Sequence, residues 1–195
     1  MSETPVDLAN YSPGNFDRGR SAVVEVLWRF VSALVFQSAI VPSYALKRVV
    51  LRAFGAKVGE GVVIKPRVSI TLPWKVTLGD HVWIGEGAWL DSLAEVRIDA
   101  HACISQRAYL CTGNHDYRSR RFDLRVEPIV VGRGAWVAAG AVIGPGVTIG
   151  DGAVLGLGSV AATDLEPFVI YRGNPAVRVR DRKMRAAPDD ERVDP

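Results

Sequence analysis

From Val58 to Leu155 an aliphatic residue returns at a spacing of six, and this repeat narrows the fold more than any other feature of the chain. The positions are Val58, Ile64, Ile70, Leu78, Ile84, Leu90, Ile98, Ile104, Leu110, Val131, Val137, Ile143, Ile149 and Leu155. All 14 are Ile, Leu or Val, although only 52 of the 195 residues are of those types. Glycine often follows, as at Gly59, Gly85, Gly132 and Gly150. Four residues after each aliphatic, 12 of 14 positions hold a small residue or Val. A period of six fits neither an amphipathic helix nor an alternating strand. It fits an all-β parallel β-helix whose coils are each built from hexapeptides. Such a coil buries its apolar interior only by stacking on the next, so the solenoid must be continuous.

The departures from the period carry further information. Val58 to Leu78 and Leu78 to Ile98 each span 20 residues, with Thr77 and Arg97 at equivalent places in two extended corners. Leu110 and Val131 lie 21 residues apart, and the segment between them reads CTGNHDYRSRRFDLRVEPIV. A solenoid can extrude such a loop without breaking its stack, and long loops on rigid scaffolds are frequent homes of function. The expected organisation is a polar start and apolar helical lead-in over residues 1–54, about five coils over 55–163 with a loop at 112–129, and a C-terminal basic segment over 164–195. That last segment carries Arg178, Arg180, Arg182, Lys183 and Arg185.

Residues 1–19 are polar, with no basic run at the start, which argues against a signal peptide. Ala22 to Leu46 is apolar but interrupted by Glu25 and Arg29, and Pro42 breaks it. The uncharged stretch from Phe30 to Leu46 falls short of the ~20 residues a membrane-spanning helix needs. It is read as a helix covering the protein's own body, with a membrane-surface helix as the second reading. Trp28, Phe30 and Phe36, followed by Lys47, Arg48 and Arg52, keep that second reading open. A net charge of +3 allows an anionic ligand but does not argue for nucleic acid. Two cysteines, Cys103 and Cys111, make no disulfide framework, which fits a reducing, cytoplasmic setting.

The motifs ISQRAYLCTGNHDY (104–117), VGRGAWVAAGAVIGPGVTIGDGAVLGLGSV (131–160) and RGNPAVRV (172–179) resemble those of the hexapeptide-repeat acetyltransferases. The likeness is to the colanic-acid-type exopolysaccharide enzymes and their galactoside and maltose acetyltransferase relatives, and it covers most of residues 8–183. It implies a left-handed β-helix, homotrimers with active sites between subunits, and acetyl transfer from acetyl-CoA, without a metal, to a sugar hydroxyl of an exopolysaccharide or its precursor. A place at the inner face of the cytoplasmic membrane, where lipid-linked sugars are found, is compatible with this. His115 falls on the family's general base. A sugar hydroxyl is a weak nucleophile, and a neutral imidazole that takes its proton during attack on the thioester contributes about 10²–10⁴-fold.

The resemblance also places Ala139, Leu157, Thr163 and Arg180 at positions that contact CoA. Relatives often carry Thr-Lys near the end of the last coil, where this chain has Ala162-Thr163. Arg178, Arg180 or Lys183 would then answer the phosphates in place of that lysine, unless the tract is simply a solvated tail. Asn114 and Asp116 either orient the histidine and contact sugar, or serve as turn formers. Asp91 falls where related enzymes face the acceptor, but it also fills an ordinary repeat slot. Trp136 has two readings, packing and sugar stacking. His81 and His101 should stack on adjacent coils as solvated or subunit-contact residues. Two other classes stand as alternatives: a zinc lyase of the carbonic-anhydrase type, and a non-catalytic β-helix.

Overall fold

The computed structural model describes residues 6–14 and 16–185. The hexapeptides form a parallel β-solenoid with three sheets. The first sheet stacks Lys57–Val58, Val76–Leu78, Val96–Ile98, Ile129–Val131 and Thr148–Ile149. The second stacks Val63–Ile64, Trp83–Ile84, Cys103–Ile104, Trp136–Val137, Val154–Leu155 and Val169–Arg172. The third stacks Ser69–Ile70, Trp89–Asp91, Tyr109–Cys111, Val142–Ile143 and Val160–Ala161. Every repeat aliphatic except the half-buried Val58 is buried. The small residues four places on, such as Ala88, Ala102 and Ala135, are buried too. Coils approach closely here: a Cβ added at Gly85 would lie 2.6 Å from the backbone nitrogen of Gln106 on the next coil.

The stack does not stop where the hexapeptides do. Leu165 bridges to Ile149, and Val169–Arg172 pairs with Val154–Leu155, so five full turns are followed by the start of a sixth. Val177–Asp181 then folds back antiparallel on Val169–Arg172. Arg182 fastens the end of this hairpin by donating to the carbonyls of Gly134 and Gly152, at 3.0 and 2.9 Å.

The irregularities share one edge of the triangular stack, the edge between the third and first sheets. The additional residues of the two longer coils sit there, at 72–75 and 92–95. The segment 112–128 leaves from the same edge.

The first coil has no coil beneath it, and the lead-in covers it. Helix α1 (Ala22–Ser32) continues through a π-helical turn (Ala33–Gln37). Helix α2 (Tyr44–Ala53) follows, its first turn capped by the Ser43 hydroxyl accepting from the Leu46 N–H. Trp28 is buried against Phe36 and Phe54, with ring centroids 5.4 and 5.1 Å away. Its Nε1 donates to the Ile70 carbonyl at 2.9 Å. Lys47 Nζ donates to Ile64 O at 3.0 Å, Arg48 to Val62 O at 2.9 Å, and Arg52 Nη2 to Val58 O at 2.7 Å. Four side chains therefore donate to carbonyls of the open coil, three of them cationic. Hydrogen bonds to charged groups contribute about 1.5–3 kcal/mol each, and a buried carbonyl left alone costs a comparable amount. Lys47 is wholly buried, and that burial, helped by the nearby Lys65 charge, pushes its amine below the ordinary lysine range.

The cover expected of residues 22–46 is thus present and extends through α2. The outer face of this region remains apolar, with Val23, Val26, Leu27, Phe30 and Leu34 exposed. Among the described residues, no helix is long and apolar enough to cross a membrane.

Candidate active site

The segment that leaves the solenoid after Thr112 is a β-hairpin. Gly113–His115 pairs antiparallel with Leu124–Val126, matching His115 to Leu124. His115 thus stands at the inner end of a turn closed by residues 116–123. Its Nδ1 lies 2.9 Å from the carbonyl oxygen of Phe122. A carbonyl can only accept, so Nδ1 carries the proton, and a neutral ring then has its free lone pair at Nε2. The Phe122 ring stacks on the imidazole at 4.3 Å with planes 9° apart. One residue therefore supplies both the acceptor and the stacking plane. Its φ of 53° is in the left-handed region, a position that costs a bulky residue about 1–3 kcal/mol.

Asn114 and Asp116 spend their side chains on this hairpin. Asn114 Oδ1 accepts the His115 N–H at 2.8 Å. Asp116 accepts from the Arg118 N–H at 3.1 Å and pairs with Arg125 across the strands.

Asp91 sits at the root of the hairpin, in register with Cys111. Its Oδ1 accepts from the Thr71 hydroxyl at 2.8 Å, and its Oδ2 is 3.4 Å from the Tyr109 hydroxyl. Its backbone carbonyl accepts from the Thr112 hydroxyl. Burial first, then Cys111 and the Asp91 charge, push the Tyr109 phenol upward, so it stays a donor toward Asp91. Gly113 crosses just above this carboxylate, where a Cβ would meet Leu93 Cδ1 at 3.0 Å and Asp91 Oδ2 at 3.9 Å. Thr71 and Tyr109 were not among the sequence candidates. For Thr71 the signal was there, because 71, 91 and 111 are successive steps of the 20-residue coil.

The residues assigned to CoA divide among different parts of the stack. Ala139 and Leu157 lie on consecutive coils at the edge between the second and third sheets. They line a groove of ≈ 550 Å³ with Arg67, Gln106 and Arg107. Thr163 is exposed one edge further on, on the hairpin side, and does not line that groove. Arg180 and Lys183 line a second groove, of ≈ 500 Å³, at the C-terminal end of the second sheet. Arg178 is engaged by Asp181 at 2.6 Å and lies 3.8 Å from Glu166. Trp136 projects from the second sheet, its Nε1 donating to Ser105 Oγ at 2.8 Å.

Within one chain, then, Asn114, His115 and Asp116 share the hairpin and Asp91 stands at its root, while Trp136 and the Ala139–Leu157 groove face elsewhere. His81 and His101 stack at 5.1 Å on the remaining edge, both with left-handed backbone, as residues of tight corners. Among the described residues, no three His, Cys, Asp or Glu side chains gather as a metal site.

Residues 128–160 match the family model described as bacterial transferase hexapeptide (six repeats). WcaF of Escherichia coli K12, which carries the name of a colanic acid biosynthesis acetyltransferase, is 46% identical over 176 residues. That match covers 90% of this chain and 97% of WcaF. A hexapeptide-repeat acetyltransferase of Vibrio cholerae, solved in complex with acetyl coenzyme A, superposes with a TM-score of 0.77 at 26% identity. The superposition covers 89% of this chain and 96% of that one. A maltose O-acetyltransferase of Clostridium difficile 630 superposes with a TM-score of 0.75 at 20% identity, covering 84% of this chain and 90% of that one, and shares the fold.

Proposed function

This chain belongs to the hexapeptide-repeat acetyltransferases, and from that membership we propose that it transfers the acetyl group of acetyl-CoA to a sugar hydroxyl of an exopolysaccharide or its precursor, with His115 as general base. The observation that carries the assignment of the base is the Nδ1–H bond to Phe122, which leaves Nε2 as the acceptor of a proton. As the sugar oxygen attacks the thioester carbonyl, its proton passes to Nε2. The tetrahedral intermediate collapses with cleavage of the carbon–sulfur bond. The imidazolium returns its proton to the leaving thiolate, giving the acetyl ester and CoA. Asp91 binds a neighbouring hydroxyl of the acceptor, held by Thr71 and Tyr109. Asn114 and Asp116 serve by keeping the hairpin in shape, and the name and near-complete match of WcaF support the acceptor class.

The placement of the remaining residues supports a homotrimer. The hairpin of one chain and the Ala139–Leu157 groove of the same chain lie on opposite sides of the third sheet. A neighbouring subunit brings its own groove to the hairpin, with Ala139 and Leu157 along the pantetheine arm. Trp136 of the second sheet then lies in or beside the subunit contact. The apolar outer face of α1 is assigned to the membrane surface.

The first test measures CoA release from acetyl-CoA with a panel of monosaccharides and maltose, and locates the ester by NMR of the product. An acetylated amine instead of an ester would replace the acceptor class. Trimers mixed from His115→Ala and Leu157→Trp chains should regain activity that neither parent has, because one interface then holds both intact parts. Mixed trimers no better than the parents would place the whole site within one chain.

Arg180 is assigned to the phosphates of CoA, since Arg178 already has acidic partners. Arg180→Ala should raise the KM for acetyl-CoA several-fold and leave kcat nearly unchanged, because phosphate contacts are made equally in ground and transition states. Steady-state kinetics decide this. An unchanged KM would return the basic tract to a solvated tail.

A further inference from the structure

We propose that Tyr11, in the polar segment before the first helix, is a positioning residue that holds His115 in its working orientation; this rests on the reading of His115 as the base. The hairpin that carries His115 pairs only three residues with three. A two-stranded hairpin alone is marginally stable in water. Its root is fixed to the solenoid, but its turn projects away, so something must hold the outer part if the imidazole is to keep one geometry.

The N-terminal segment does this. The N–H of Asp7 donates to the carbonyl of Arg120, within the hairpin turn, at 2.8 Å. A short 3₁₀ turn (Leu8–Asn10) follows, closed by Asn10 Nδ2 donating to Asp7 Oδ2 at 2.7 Å. Tyr11 then meets the His115 imidazole edge-on, with ring centroids 5.9 Å apart and planes at 62°. Stacked Phe122 and edge-on Tyr11 thus both confine the ring.

The segment is itself moored to the solenoid. Lys75 Nζ donates to Asp17 O at 2.6 Å and to Leu93 O at 2.7 Å, joining the segment to both extended corners. The same amine sits 4.7 Å from the Phe16 ring centroid. Trp74 Nε1 donates to Arg18 O, and Gly19 packs against the Trp74 ring. Contacts therefore tie residues 16–19 to the rigid first coils, and Asp7 and Tyr11 to the hairpin that carries His115. Errors of about 1 Å in placing a reacting group can cost about 10²-fold in rate.

The experiment compares wild type, Tyr11→Phe, Tyr11→Ala, His115→Ala and Tyr11→Ala/His115→Ala. The first readout is ¹⁵N NMR of the His115 imidazole without substrate. The wild type should show one tautomer, protonated at Nδ1, and Tyr11→Phe should match it, because the edge contact needs no hydroxyl. Tyr11→Ala should show averaging of the two tautomers. The second readout is turnover of acetyl-CoA with the best acceptor of the sugar panel. Tyr11→Ala should lower kcat about 10- to 100-fold with the KM for acetyl-CoA unchanged, and should add nothing to the loss in His115→Ala. A Tyr11→Ala variant with wild-type tautomer and kcat would overturn the inference and leave the base intact. If His115→Ala were as active as wild type, the base assignment would fall, while the NMR would still decide whether Tyr11 holds the ring.

Discussion

His115→Ala should lower kcat by at least ~10²-fold with the oligomer and the thermal midpoint unchanged, the largest kinetic effect expected of any single substitution in this chain. The structure explains why the loss should be confined to kinetics. His115 lies on an extruded hairpin, outside the aliphatic interior of the solenoid, so no coil loses packing. On the proposed mechanism, what disappears is the lone pair on Nε2 that accepts the hydroxyl proton. Residual turnover would come from binding and orientation alone. Size-exclusion chromatography, thermal melting and CoA release on one preparation check all three parts. Turnover within a few-fold of wild type would take His115 out of the mechanism.

Deleting residues 1–54 should yield aggregated chain with no recoverable activity. The deletion strips Trp28, Lys47, Arg48 and Arg52 from the carbonyls of Ile70, Ile64, Val62 and Val58. It exposes the end of the aliphatic interior and an unpaired β edge, and such edges recruit other chains. A gentler variant separates this role from membrane contact. Leu27→Glu combined with Phe30→Glu changes two exposed positions of α1 and leaves all four carbonyl donors in place. That protein should remain soluble and active while losing co-flotation with anionic liposomes. A soluble, active 55–195 fragment would refute the capping role. Equal flotation of wild type and double variant would refute membrane contact by this face.

The interior of the solenoid was legible because its packing demands one residue type at one interval. The groove lined by Ala139 and Leu157 follows from the same arithmetic, because the two residues are 18 apart and fall on one edge. Thr163 is six residues beyond Leu157, which is one edge further, so the repeat itself separates it from that groove. Other features left no such trace. Lys47, Arg48 and Arg52 read as cations facing outward, whereas they turn toward backbone carbonyls. Those carbonyls lack partners because of where the stack ends, and no side chain records that. Tyr11 and His115 are 104 residues apart with no shared period. Phe122 contributes through its carbonyl and its left-handed backbone, neither of which its identity announces.

With every lengthened corner and the hairpin leaving from one edge, the two jobs of such a chain can diverge independently. Insertions within 74–75, 93–95 and 113–128 can reshape the surface around Asp91 and His115 without breaking a parallel strand pair. The other two edges keep their strict spacing and with it their contact geometry. On the proposed function, exchange of these three segments between relatives should transplant acceptor preference and leave acetyl-CoA handling with the recipient.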